Sequence, residues 1–177
     1  AGASVVKVEH PCGGDPLRRW TASGAPIPPD EDGALFRFLH TSKQSVALDL
    51  ESDAGRDDLL RLVIGADLVF ESFAPGRIEA MGLGPDVLWR ANPAVSLVSI
   101  SPFGRGGPWS NRPATEFTLQ ALCGSTASRG TQDRPPLHAG GRLGEWLTAG
   151  FVALGALTAW SRTRRSGHSE HVDVSML

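Results

Sequence analysis

The sequence predicts an α/β chain built on parallel strands, and three observations carry that reading. Strand-like runs rich in Val, Ile and Leu alternate with stretches of helical periodicity from Val5 to Met176. Loops rich in Gly and Pro follow those runs, PCGGDP after the first and SPFGRGGP after Ile100. Ser45 to Phe70 forms a complete strand, helix, strand unit, from which a parallel pairing is expected.

In AGASVVKVEH, Gly2 reads as a helix stop and the β-branched Val5, Val6 and Val8 as a strand. PCGGDP then lies at the carboxyl end of a strand, where open α/β sheets hold ligands. It lacks GxGxxG and GxxxxGK[ST], so it is no nucleotide fingerprint. Thr21 to Gly33 reads as a surface loop and Leu35 to Leu39 as a short apolar segment, while Ser45 to Leu50 alternates like a strand. Ser52 is a good N-cap for a helix whose buried stripe is Leu59, Leu60, Leu62 and Val63, ending near Gly65. ADLVFESF is the next strand.

Pro75 to Met81 reads as a short helix stopped by Gly82, and Pro85 to Ala91 as a second, stopped by Asn92-Pro93. Val95 to Ile100 is a strand, Thr115 to Cys123 a helix, and Gly124 to Leu137 a polar loop. Leu143 to Arg165 has the layout of a buried helix: Glu145 at the first turn, an Ala/Gly-rich apolar stretch, then Arg162, Arg164 and Arg165, an order that suits the macrodipole. Gly167 leads into a last strand, His171 to Met176.

With 177 residues and 41% hydrophobic content, the chain can bury one sizeable core. A net charge of -2 without a basic cluster argues against nucleic-acid or anionic-membrane partners. The longest apolar run, Leu147 to Trp160, carries two Thr and is too short to span a bilayer. Cys12 and Cys123 lie far apart with no CxxC, which predicts free thiols in a reducing compartment and hence a cytoplasmic location. The five histidines show no HxxxH or HExxH spacing, so no metal site is expected, and the absence of Gx[ST]xG argues against a serine hydrolase.

The candidate chemistry rests on Glu145 and Glu116. Each sits at the first turn of a predicted helix, where a carboxylate is stabilised even if it does nothing else. Meeting in space, the two would form a carboxylate pair able to divide nucleophilic and acid/base roles.

The stretches GASVVKVEHPCGGDPLRR, SKQSVALDLESDAGRDDLLRLVIGADLVFESFAPGRIEAMGLGPDVLWRANPAVSLVSISPFGRGGP and LTAGFVALGALTAWSRTRRSGHSEHVDVSML resemble, in order, successive signatures of the family III CoA-transferases. That group includes formyl-CoA transferase, carnitine CoA-transferase and α-methylacyl-CoA racemase. The resemblance implies a Rossmann-like CoA-binding domain incomplete at both ends, with a first strand-helix unit before Ala1 and a smaller domain after Leu177. It also implies an interlocked homodimer with an acyl-CoA and a carboxylic acid as substrates.

By the same resemblance, the family's catalytic Asp, which forms acyl and CoA anhydride intermediates, falls on Trp146, counted back from Gly150. Indole has no nucleophilic oxygen. Glu145 is adjacent, but one position along a helix rotates a side chain by about 100°. Glu116 matches an acidic family position, whereas the His that racemases place before it is Thr115, which argues against racemisation.

The CoA-contact positions fall on His10, Leu48, Ser72, Phe73, Arg77 and Met81, with Glu51 replacing a family Lys and Ala80 a basic residue. Leu48, Phe73 and Met81 keep the apolar character expected around adenine. Exchanging cations for Glu51 weakens the hold on a polyanion. Arg77, Arg18 and Arg19 are the cations available to compensate.

Two readings follow: a CoA-transferase using Glu145, or an acid from another segment, as nucleophile; or a catalytically degenerate half of a longer or duplicated transferase that keeps the fold and shapes the CoA site. A third, an unrelated nucleotide-binding α/β domain, requires a glycine fingerprint ahead of Ala1.

Overall fold

The computed structural model describes residues 2–177; Gly2, read as a helix stop, has a left-handed φ of 79°, and Ala1 lies outside the described residues. The chain forms two compact units, Ala1–Leu59 and Leu60–Leu177.

In the first unit, β1 (Val6–Glu9) pairs in parallel with β2 (Gln44–Ala47), with Glu9 opposite Ala47 at the carboxyl end of the ladder. A 3-10 turn over Pro16–Arg19 and α1 (Ala34–His40) form the crossover between them. The turn is started by Asp15, whose carboxylate accepts the Leu17 N–H at 2.7 Å. The expected apolar segment Leu35 to Leu39 is thus a helix, with Phe36 as its buried residue.

Helix α2 (Asp53–Ile64) begins where the sequence places it, because the Ser52 hydroxyl accepts the Gly55 N–H at 3.0 Å. Beyond it, β3 (Leu68–Glu71), β4 (Ser96–Ser101) and β5 (His171–Ser175) form a parallel sheet in the order β3-β4-β5. The helices α3 (Arg77–Ala80) and α4 (Pro85–Ala91) link β3 to β4. The unit read as strand, helix, strand is present, but its strands pair with β1 and β4 rather than with each other. Hydrophobic pattern specifies which residues are strands, whereas pairing partners depend on non-local packing.

β4 is the central strand, and its run Ser96–Ser99 is fully buried, as a strand covered on both faces must be. Helix α6 (Leu143–Ser166) lies on this sheet through Thr148, Val152, Ala156, Ala159 and Thr163. Val152 and Ala156 pack with Val98, flanked by Leu68, Ile100, Val172 and Val174. The polar groups within the contact satisfy each other: Ser96 Oγ and Thr163 Oγ1 share a buried hydrogen bond of 2.7 Å.

The sequence reads α6 as buried, but only one face is. Leu147, Phe151, Leu154 and Leu157 on the other face are 60–70% exposed. A helix apolar all round does not reveal from its pattern which side meets the sheet. No helix among the described residues is long and apolar enough to cross a membrane.

Candidate active site at the start of the long helix

Thr115 caps α5 (Glu116–Leu122): its hydroxyl accepts the Thr118 N–H at 3.2 Å, and the Thr118 hydroxyl accepts the Thr115 N–H at 2.8 Å. This box fixes Glu116 in the first turn, and α5 packs on α6. Glu116 Oε1 accepts the Gly144 N–H at 2.7 Å and a Gln120 Nε2–H at 2.8 Å. The carboxylate therefore caps the start of α6, whose own N-cap residue, Arg142, makes no side-chain cap bond. Glycine eases this approach, since a Cβ at Gly144 would lie 3.0 Å from Glu116 Oε2 and oblige the carboxylate to shift.

Burial alone would raise the Glu116 pKa. The Gly144 N–H, Gln120, the Glu145 backbone and the Arg142 charge outweigh it and hold the group below the ordinary carboxylate range. Glu116 is thus an anion at neutral pH with Oε1 engaged, while Oε2 is buried without a hydrogen-bond partner. That suits a fixed negative charge under the helix start better than a proton donor.

Glu145 is at the same helix end, where its backbone acts on Glu116 while its carboxylate turns to Arg142. Its Oε2 lies 2.6 Å from Arg142 Nε, and the side chain remains 42% exposed. Trp146 is 51% exposed. The buried Gln120 also accepts the Ala139 N–H at 2.7 Å and contacts Arg129, which ties the polar loop to this site. Gln120 and Arg142 were missed at the sequence level, although each sits at helical spacing from a candidate acid, i+4 and i−3.

The expected CoA-contact residues occur in both units. In the first, His10 and Leu48 sit at the carboxyl end of the β1-β2 ladder. The exposed His10 accepts the Cys12 N–H on Nδ1 at 3.0 Å, and the Leu48 N–H reaches the Glu9 carbonyl at 2.9 Å. Arg18 does not remain available as a compensating cation, whereas the exposed Arg19 is held only by neutral carbonyls and keeps its charge. Arg18 clasps Glu9 at 2.8 and 2.9 Å and Asp32 at 2.6 Å with its guanidinium 4.1 Å from the Phe36 ring centre, and Arg19 binds the carbonyls of Pro28 and Pro29. Acids and carbonyls contributed by the Thr21–Gly33 loop make this fit, which no local pattern shows.

In the second unit, Ser72, Phe73, Arg77 and Met81 bracket the turn between β3 and α3; Ser72, Phe73 and Arg77 are exposed and Met81 is half-buried. Gly76 makes the turn possible with φ 84°.

The profile of CoA-transferase family III matches residues 1–177, the whole chain. The chain belongs to this family. It is 36% identical over 178 residues to the succinyl-CoA–D-citramalate CoA-transferase of Chloroflexus aurantiacus, covering 99% of this chain and 42% of the relative. It is 34% identical over 175 residues to the formyl-CoA:oxalate CoA-transferase of Streptomyces coelicolor, covering 99% and 41%. Among solved structures, a CAIB/BAIF family protein from Brucella suis superposes with a TM-score of 0.91 at 30% identity, covering 99% of this chain and 46% of that one. The family III chain thus spans less than half the length of these relatives.

Proposed function

We propose that the protein carrying this chain is a CoA-transferase that moves CoA between an acyl-CoA and a carboxylic acid, with Glu145 as the reacting carboxylate. The supporting observation is the contrast at the start of α6. Glu116 is consumed as a helix cap, while Glu145 stays open to solvent in the first turn, held by Arg142. Arg142 and the helix start orient this side chain, and a carboxylate nucleophile needs no separate base.

In this reading, Glu145 attacks the thioester carbonyl, and the C–S bond breaks to release CoA thiolate and leave a mixed anhydride. The thiolate attacks the glutamyl carbonyl, expelling the first carboxylate and leaving a glutamyl-CoA thioester. The acceptor carboxylate attacks that thioester and releases the thiolate again. Attack of the thiolate on the acceptor's acyl carbonyl then forms the new acyl-CoA and frees Glu145. His10, Leu48, Ser72, Phe73, Arg77 and Met81 are assigned to holding CoA. A cytoplasmic homodimer fits the two free cysteines and the uncovered apolar face of α6.

A second reading is favoured by Trp146, half-exposed where the family has its Asp: the chain shapes the CoA site while another segment supplies the nucleophile. Incubation with an acyl-CoA followed by borohydride separates the two. Reduction of Glu145, found by mass spectrometry, together with a loss of at least about 100-fold in kcat for Glu145→Gln, is expected. A modification confined to another segment, with Glu145→Gln fully active, would remove Glu145 from the mechanism.

A further inference from the structure

At the carboxyl edge of the β3-β4-β5 sheet, Arg105 sits in the loop after β4 and reaches three neighbouring elements. Its backbone N–H donates to Asp173 Oδ2 of β5 at 2.9 Å, a turn that Gly104 permits with φ 78°. Its Nη1 donates to Glu71 Oε1 at the end of β3 at 3.2 Å, and its Nη2 meets Glu79 of α3. Glu71 is 7% exposed, and its other oxygen accepts the Phe73 N–H at 2.8 Å. The guanidinium therefore grips both ends of the segment 72–81, through Glu71 to Phe73 on one side and through Glu79 in α3 on the other.

Between those two grips lie Ser72, Phe73 and Arg77, with Met81 just beyond. The turn itself is built on small residues and a left-handed Gly76, and the exposed Ser72 and Phe73 side chains are not packed into the core. The planar fork of Arg can bind two carboxylates at once, which an ammonium cannot do with the same geometry.

We infer that Arg105 is a positioning residue for CoA, holding the segment 72–81 in its binding shape through Glu71 and Glu79; this rests on the CoA-transferase reading above. Arg105 is not assigned a contact with the reacting atoms. Its action runs through the two acids.

The test uses coenzyme A itself as probe, with calorimetric binding and amide hydrogen exchange measured side by side on the wild-type protein and on Arg105→Met, Arg105→Lys and Glu79→Gln. Arg105→Met is expected to weaken CoA about tenfold and to speed exchange in 72–81 while leaving α6 unchanged. Arg105→Lys, keeping the charge but gripping one acid at a time, should fall between it and wild type. Glu79 is 39% exposed in its side chain, so Glu79→Gln keeps the fold and should show the same effects more weakly. Combining it with Arg105→Met should add nothing if both act through one grip.

Unchanged CoA affinity in Arg105→Met and Glu79→Gln would overturn the inference, as would weakened binding without faster exchange in 72–81. A wild-type protein that does not bind CoA would overturn the transferase reading, and this assignment with it.

Discussion

At Glu9 several donors converge on one buried carboxylate: Arg18 at 2.8 and 2.9 Å, the Asp15 N–H at 2.8 Å and the Ser45 hydroxyl at 2.8 Å. The Arg18 bond is the largest influence, opposed by burial, and the group's pKa falls to about 2. Its folded value lies below its unfolded one. The stabilisation is therefore complete above about pH 4.5 and is lost as pH falls towards 2, an effect on the order of 3 kcal/mol. Glu9→Gln should abolish that part of the acid dependence in urea unfolding. At Gly144 the expected outcome is smaller: Gly144→Ala brings a Cβ to 3.0 Å from Glu116 Oε2, a side-chain end that can shift, and should cost at most about 1 kcal/mol of thermal stability.

Among the elements, α2 shows how much one approach can demand. A Cβ at Gly55 would fall 1.9 Å from the Asp49 carbonyl oxygen, with no flexible side chain able to yield. Gly55→Ala should therefore cost at least about 3 kcal/mol despite alanine's better helix propensity, read as a drop in the urea midpoint. At the other end of α2, the Asn92 amide donates to the Val63 and Ala66 carbonyls, each at 2.9 Å. Asn92→Ala removes this donor, with the Val63 carbonyl keeping the Ala66 N–H at 3.1 Å, and should cost about 1–2 kcal/mol. Helix α6 approaches β5 closely at Gly155, where a Cβ would lie 3.1 Å from Val172 Cγ1. Its small-residue face is what allows that contact.

Across the whole molecule, acid weakens both units. In the second, burial foremost, then the Arg105 charge, depresses the His171 pKa, with Asp173, Glu71 and Glu79 opposing. Its folded value lies below the unfolded 6.5, so protonation penalises the fold as pH drops below 6.5, while Glu116 responds below its unfolded value of 4.5. Thermal unfolding should thus show a first decline between pH 7 and 5 that His171→Gln reduces, burial depressing the His40 pKa of the first unit in the same way, and a later decline from the carboxylates. The sequence made most elements legible: Pro85 to Ala91 coincides with α4, and Ser52 starts α2 as read. Those signals are local, being caps, proline positions and hydrophobic period.

What the sequence by itself determined is therefore the order and kind of the elements, the family, and the two acids, each in the first turn of its own helix. Only the tertiary structure decided that Glu116 serves as a cap while Glu145 stays open, that Arg18 is spent on Glu9 and Asp32, and that Arg105 joins Glu71 to Glu79. The physical reason is range. A helix or strand is specified by neighbours within a few residues, but the partner of a charge is set by which distant segments the packed sheet brings within about 3 Å.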